Sequence, residues 1–498
     1  MRPLVLLLTT ISILACPVTS SHAAPAVTNK AEHVVLVVWD GLRPDSVNAS
    51  STPTLYQLAR EGVFFQNHHA VYLSSTEVNG TAIATGAYPN RSGVVANREY
   101  RPAIDSLKDI EIGAMDSIMK GDEVSGGHYL LLPTLPEILR QAGRPVAIAG
   151  TKPVAVLYDR FNREQITQPD HPRPKTPNTE LDAATTRALI EAQWKAGVPT
   201  FSLLWLSEPD ATQHSTGPGS PASLQALKGS DDNLARVLKE LDTRGLRDKT
   251  DVLVVSDHGF STISRAVELD KILSAAGFNA VREFKEPPKD SDIMIVGNGG
   301  SALLYVIGRD PRVVRRLVEF LQQQDFVGVI FTRKPMRGTF TLEQVRINTA
   351  DGPDIVVALR WLPGKSSTGL AGLLVNAGDA RGPGQGNHGS LSPFDMRATL
   401  VAAGPDFRRG MIDQLPSGNA DLAPTILHLL GIEPPQPLDG RVLAEALVAG
   451  TGALPAVELQ TLEASSELDK VIWHQYLRTT EFFHAIYFDE GNGYVTPK

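Results

Sequence analysis

Three apolar runs of this 498-residue chain each end on or run into an aspartate, and a histidine follows two of those aspartates closely. The first is His33-Val34-Val35-Leu36-Val37-Val38-Trp39-Asp40. The second, Phe201 to Leu206, runs into Asp210 and His214. The third is Asp251-Val252-Leu253-Val254-Val255-Ser256-Asp257-His258, and a later loop adds Gly386-Asn387-His388-Gly389. Aspartate together with neutral histidine suits zinc or a similar borderline divalent ion better than magnesium or calcium, which prefer all-oxygen shells. Asp210 and His214 are spaced to reach one ion, and His388 would complete a three-ligand site with one position open. Asp40, Asp257 and His258 would form a second site beside it. Two ions about 3.5 to 4 Å apart can clamp the attacking and leaving oxygens of a phosphoryl transfer. Two dications against three carboxylates leave net positive charge, which favours an anionic substrate. A lone strand-terminal aspartate is commonly only a helix cap or turn former; recurrence of the same chemistry at several strand ends is what marks a metal site. His33, His68, His69, His128, His171, His428, His474 and His484 have no such company and read as structural or surface residues.

A nucleophile would come from Tyr72-Leu73-Ser74-Ser75-Thr76-Glu77-Val78-Asn79-Gly80, a hydroxyl-rich entry to a short helix ending at Gly86. A hydroxyl there commonly caps the helix, yet the same place stabilises an alkoxide, because free backbone N–H groups and the helix dipole favour negative charge. Physical reasoning alone leaves Ser74, Ser75 and Thr76 equivalent.

The elements that must hold these groups are legible. Short, continuously apolar, β-branched runs mark strands buried on both faces, hence a parallel sheet, whose ligand site lies outside the strands' carboxyl ends. Helical spacing near Thr54 to Gly62, Leu135 to Ala142, Ala183 to Lys195 and Ala222 to Leu241, with a further strand at Pro145 to Ala149, gives a β-α-β-α-β order. That order predicts an α/β fold with a doubly wound, mostly parallel sheet flanked by helices. Residues 98–130 read as irregular, and the proline-bearing stretch Gln168 to Asn178 as an exposed loop. Shorter alternating stretches at Ile293 to Val296, Ala302 to Ile307 and Gln344 to Ile347 predict a smaller α+β insertion over 260–385, placed as a cap over the site. The sheet resumes at Met396 to Ala403, followed by a helix at Leu422 to Leu430. The catalytic core is thus expected over 31–259 and 386–445, with a C-terminal extension over 446–498. In that extension a hairpin spanning Tyr476 to Tyr494 would turn at Asp489-Glu490-Gly491-Asn492-Gly493.

The balance of the chain excludes other classes. Hydrophobic residues make up 42% and charged residues 20%, which is globular composition, and a formal charge of -8 argues against a nucleic-acid scaffold binder. Residues 1–23 resemble an export signal: Arg2, an apolar stretch from Leu4 to Leu14, and Ser21-His22-Ala23 for cleavage. Export to the periplasm or the extracellular space is expected, with lipidation at Cys16 in Ile13-Leu14-Ala15-Cys16 as the alternative. Cys16 is the one cysteine, so disulfides, thiol catalysis and cysteine ligands fall away. No later segment reads as a transmembrane span, and nothing in the sequence sets an oligomeric state.

The motifs resemble the alkaline phosphatase superfamily, specifically its type I phosphodiesterase/nucleotide pyrophosphatase branch. The resemblance is carried by Asp40-Gly41-Leu42-Arg43-Pro44-Asp45, Thr76 with Asn79, Thr85-Gly86-Ala87-Tyr88-Pro89, Glu208-Pro209-Asp210 with His214, Ser256-Asp257-His258-Gly259, Asn387-His388-Gly389 and Leu438-Asp439-Gly440-Arg441. It implies two zinc ions, with Asp210, His214 and His388 on the first and Asp40, Thr76, Asp257 and His258 on the second. It also implies Thr76 as nucleophile, Asn97 as hydrogen-bond donor to a phosphoryl oxygen, and Asn79 as a brace of the nucleophile helix. Small phosphorylated substrates would be cleaved at a phosphodiester or pyrophosphate bond through a phosphothreonine intermediate.

The chain departs from that pattern in places. Glu77-Val78 stands where the branch commonly has Phe-Pro, and Gly80 and Ser92 replace family histidines. Glu77 beside the nucleophile would repel extra phosphate charge. Lys152 matches the first position of a Lys-Asp-Arg segment found in some related phosphomonoesterases, whereas Pro153 and Val154 do not match the rest. Glu77 and Lys152 are therefore candidate substrate-binding residues, and monoester or phosphonate hydrolysis, or a non-catalytic binding protein of the envelope, stand as alternatives. The sulfatase pattern is absent around Ser74 to Asn79, and the spans of a headgroup transferase are missing.

Overall fold

Four valines, a leucine and a tryptophan in succession leave the strand His33–Trp39 with no face fit for water, and it lies at the centre of a sheet with Val34 through Trp39 wholly buried. The computed structural model describes residues 30–169, 177–377, 380–450 and 454–498. The export segment with Cys16 lies outside them, as does most of the loop expected from Gln168 to Asn178.

The main sheet has seven strands: β1 His33–Trp39, β2 Val63–Phe65, β3 Val146–Gly150, β4 Phe201–Leu206, β5 Thr250–Val255, β6 Leu400–Ala403 and β7 Met411–Asp413, in the spatial order β7-β2-β6-β5-β1-β4-β3. β3, β4, β1 and β5 run parallel, and β6 lies antiparallel between β5 and β2. Alternate residues of β1 feed opposite layers. Val34, Leu36 and Val38 pack with Val78 and Ile83 of the helix Thr76–Thr85 and with Ile426. Val35, Val37 and Trp39 pack with Leu55 and Leu58 of Pro53–Glu61 and with Leu234 and Val237 of Pro221–Thr243. The result is a helix-sheet-helix sandwich, the α/β architecture read from the sequence. Val38 pairs with Trp205 on one side and Val255 on the other. β1, β4 and β5 therefore end level, and the residues that follow them open on one edge.

A six-stranded sheet is built from Ala280 to Leu359, and a four-stranded one joins Ser261–Ala266 to Trp361–Lys365, Ala371–Asn376 and Gly386–Asn387. The strands expected near Ile293 and Ala302 are present as Ile293–Asn298 and Ser301–Val306. Gln344 to Ile347 is no strand: it is a turn carrying Arg346 at φ 59°. The stretch read as irregular holds the helix Met115–Ser125, whose mixed polar face and internal Gly121 mask its period. At the C-terminus Val471–Phe482 and Ala485–Pro497 pair antiparallel with Glu458–Glu467 alongside. Their turn is Phe483-His484, with Phe483 at φ 56°, and not Asp489 to Gly493. The two glycines there serve close packing instead: a Cβ on Gly493 would sit 2.1 Å from the Gly328 carbonyl, and one on Gly491 2.9 Å from Leu391.

Candidate metal centre and nucleophile

Asp40 follows β1, Asp257 and His258 follow β5, and Asp210 opens the helix Asp210–Thr216 beyond β4, with His214 one turn on. His388 follows the short strand Gly386–Asn387. The fold brings these six side chains together. Asp210, His214 and His388 form one group whose ligand atoms lie within 4.8 Å of one another, and Asp40, Asp210 and His258 form a second. Asp210 therefore borders both. Asp257 joins the second group through its Oδ2, 3.3 Å from His258 Nε2.

The three histidines face the carboxylates with the same edge. His214 Nδ1 lies 3.1 Å from the Gly386 carbonyl, His258 Nδ1 2.8 Å from that of Gly259, and His388 Nδ1 2.9 Å from that of Ser74. A carbonyl accepts only, so each Nδ1 carries the proton and a neutral ring shows a bare Nε2 to the cluster. Those Nε2 atoms stand 3.1 Å (His214) and 3.5 Å (His388) from Asp210 Oδ1, and 3.5 Å (His258) from Asp40 Oδ1. Burial, with His258 adjacent, holds the His388 imidazole well below its ordinary pKa and hence neutral. Lone pair against lone pair is repulsive unless a cation lies between. Asp40 Oδ1, Asp210 Oδ1 and Asp257 Oδ2 are likewise buried with no hydrogen-bond donor. A tetrahedral shell with bonds near 2.0–2.1 Å separates neighbouring ligand atoms by about 3.3 Å, so the donor set and its spacing fit zinc.

The outer carboxylate oxygens are held separately. Trp205 Nε1 donates to Asp40 Oδ2 at 3.0 Å, and Gly41 N–H to Asp257 Oδ1 at 3.1 Å. Lys152 Nζ lies 2.5 Å from Asp210 Oδ2 and 3.3 Å from Asp40 Oδ2. Burial alone would lower the Lys152 pKa, but Asp210 and Asp40 outweigh it and raise it, so the ammonium stays charged. Asp40 is pushed up by burial and by Asp257. On Asp210 burial is opposed by the Lys152 ammonium, and the carboxyl is held down.

Of the three hydroxyls left open by the sequence, geometry separates one. Ser74 Oγ turns away to donate to the Ser390 carbonyl at 2.8 Å, and Ser75 Oγ is buried without a partner. Thr76, the first residue of its helix, caps nothing; its Oγ1 lies 3.3 Å from His258 Nε2. Asn97 Oδ1 accepts the Glu77 N–H at 2.9 Å, which leaves its amide hydrogens for another acceptor. Glu77 itself is buried, pushed up to about 8 by burial and only partly restrained by Lys152. Trp205, which donates to Asp40, Asn298, which accepts the Asn97 N–H, and Asn419, which donates to the Asp257 carbonyl, carried no sequence signal beyond residue type.

A model of the family described as type I phosphodiesterase / nucleotide pyrophosphatase matches residues 34–325. The chain belongs to the type I phosphodiesterase/nucleotide pyrophosphatase family. It is an enzyme of that family by the match, and the match covers more than half of its length. This family member is 25% identical over 423 residues to ectonucleotide pyrophosphatase/phosphodiesterase family member 3 of Mus musculus, covering 80% of this chain and 42% of that one. It is 23% identical over 438 residues to the bis(5'-adenosyl)-triphosphatase enpp4 of Mus musculus, covering 82% and 79%. With Venom phosphodiesterase 2 of Crotalus adamanteus the match is 26% over 242 residues, 46% of this chain and 27% of that one. The chain thus spans less than half the length of the first and third of these relatives. Among solved structures, murine ectonucleotide pyrophosphatase/phosphodiesterase 5 superposes with a TM-score of 0.63 at 19% identity, over 83% of this chain and 100% of that one. An inactive form of the same murine protein, in complex with AMP, gives 0.62 over 83% and 99% at 19% identity. That likeness establishes the shared α/β fold.

Proposed function

We propose that this chain is a two-zinc phosphoryl hydrolase that cleaves phosphodiester or pyrophosphate bonds of small phosphorylated substrates with Thr76 as nucleophile. The observation that carries the reading is the Thr76 hydroxyl at a helix N-terminus, 3.3 Å from His258 Nε2 and beside donor-less carboxylate oxygens. Asp210, His214 and His388 would hold one ion, and Asp40, Asp257, His258 and Thr76 the other, with Asp210 on their common border. Bound there, divalent ions supply Lewis acidity, which lowers a hydroxyl's pKa and offsets charge on phosphoryl oxygens. None of His214, His258 and His388 is free to act as a base, since each is committed to a carbonyl through Nδ1 and to the cluster through Nε2. Thr76 Oγ1 bonds to phosphorus as the bond to the leaving oxygen breaks in line, and water then hydrolyses the phosphothreonine. The Asn97 amide donates to a non-bridging oxygen, where a fixed donor stabilises developing charge.

Related proteins named for bis(5'-adenosyl)-triphosphatase activity and for an AMP complex support a nucleotide-like substrate. Glu77, in the place of the branch's aromatic residue, argues against base stacking at that position, and Lys152 offers a fixed positive charge that also acts on Glu77. Residues 31–259 with 386–445 form the catalytic unit, 260–385 an inserted unit and 446–498 an extension. Export follows from the character of residues 1–23, and among the described residues no helix is long and apolar enough to cross a membrane.

The test compares an aryl phosphodiester with an aryl phosphomonoester on the zinc-loaded protein and on Thr76→Ala. Higher kcat/KM for the diester, and a loss of about 10³-fold or more on Thr76→Ala, are expected. Monoester dominance overturns the diesterase assignment. Absence of turnover by the unmodified protein, with metal and phosphate binding unchanged in Thr76→Ala, establishes the binding-protein alternative.

A further inference from the structure

The inserted six-stranded sheet sends one tight turn down to the site. Ile293–Asn298 and Ser301–Val306 pair with Asn298 opposite Ser301, so Gly299 and Gly300 alone make the turn, Gly299 at φ 62°. Only glycine fits there: a Cβ on Gly299 would lie 2.2 Å from the His388 carbonyl oxygen, and one on Gly300 2.5 Å from Ser390 Cβ. The turn bonds to three loops of the site. Asn298 Oδ1 accepts the Asn97 N–H at 3.1 Å. Gly300 N–H donates to the His388 carbonyl at 2.8 Å. Ser301 Oγ donates to the Gly389 carbonyl at 2.6 Å and meets the Tyr72 hydroxyl at 3.0 Å. Beneath the turn, Met294, Val296 and Leu303 share one buried cluster with Tyr72, Leu73, Val95 and Ala96.

The segment carrying Asn97 is held through its backbone donors. Glu99 Oε1 accepts the N–H groups of Val95 and Ala96 at 2.7 and 3.3 Å, and Asn298 takes the next one. Three successive N–H groups are thus fixed by side-chain oxygens, the last of them supplied from 201 residues away. Asn298 Nδ2 is buried and without a partner. Its oxygen has one use.

We infer that Asn298 is a positioning residue for phosphoryl transfer, anchoring the Asn97 backbone from the inserted sheet so that the Asn97 amide is aimed at the phosphoryl group beside Thr76. The inference rests on the proposed role of Asn97 and deepens it: the insertion takes part in the reaction through this turn. A donor displaced by about 1 Å can cost on the order of 10²-fold in rate.

The experiment is a double-mutant cycle on the zinc-loaded protein with an aryl phosphodiester, using Asn298→Leu, Asn97→Ala and the pair. Asn298→Leu keeps the side-chain size and deletes the acceptor. The expected result is a kcat loss of about 10- to 100-fold with KM changed less than about threefold and zinc content unchanged. In the Asn97→Ala background the same change should cost less than about twofold. Equal losses in both backgrounds, unaltered kcat in Asn298→Leu, or a kcat loss that tracks lost zinc overturns the inference while leaving the role of Asn97 standing. Unaltered kcat in Asn97→Ala removes the role of Asn97, and the inference with it. Should Asn298→Leu fail to fold, Asn298→Ala deletes the same acceptor without a branched side chain and enters the same cycle.

Discussion

Asn419 donates through Nδ2 both to Asn79 Oδ1, at 2.9 Å, and to the main-chain carbonyl of Asp257, at 2.7 Å. Its Oδ1 lies 3.0 Å from His68 Nε2, and burial pushes His68 down to about 3, so that ring is neutral and donates. Asn79 in turn accepts from Val71 N–H and donates to the carbonyls of Val71 and Ser75. One amide therefore sets the spacing between the Thr76 helix and the Asp257-His258 loop. Asn419→Leu strands the buried Asp257 carbonyl and the His68 Nε2–H and removes one of the two donors to Asn79 Oδ1, and stability should fall by about 2–3 kcal/mol in a denaturant titration. The kcat should fall about tenfold or more, with activity measured well below the melting point.

Asp210 borders both ligand groups, whereas His214 belongs to one. Elemental analysis of purified variants should find His214→Ala short of one bound ion per chain, and Asp210→Ala short of both. Chelation should abolish turnover and zinc restore it. Full metal content in Asp210→Ala would falsify the shared-ligand geometry.

Lys152 touches only the outer oxygens of Asp210 and Asp40. If its charge serves an anionic substrate, Lys152→Met raises KM for an aryl phosphodiester about tenfold and leaves zinc affinity undiminished. Weaker zinc binding at unaltered KM would instead make Lys152 a holder of the ligands alone.

Asp251 is buried at the start of β5, and burial followed by the charge of Asp406 pushes its carboxyl up to about 8 from an unfolded value of 3.8. Between those values the folded chain holds a proton that the unfolded chain has released. Stability contributed by Asp251 is therefore full below about pH 3.8, falls as pH rises, and is lost above about 8. Asp251→Asn cannot ionise, so its stability relative to the unmodified protein should grow between pH 5 and pH 8, by on the order of a few kcal/mol. Denaturant titrations at the two pH values decide it, and a constant difference rules it out.

The sequence by itself determined the sheet, the edge at which the candidate ligands gather, and most of the groups that converge there. The reason is local: a strand buried on both faces must be apolar throughout, so β1, β4 and β5 announce themselves, and Asp40, Asp210 and Asp257 can only sit at or just beyond their ends. The candidacy of the cluster as a cation site follows from residue types, and the order of the motifs carried the family. Tertiary structure decided which hydroxyl faces the cluster, that Asp210 lies between both groups, and that Lys152 grips ligand oxygens. It also placed Asn298 and Asn419, whose partners stand 201 and 340 residues away, since a polar side chain's use depends on what folding sets beside it. Gly491 and Gly493 teach the same lesson in reverse. A turn and a close approach of two sheets both require glycine, and only the packing of Gly328 and Leu391 against that strand tells them apart.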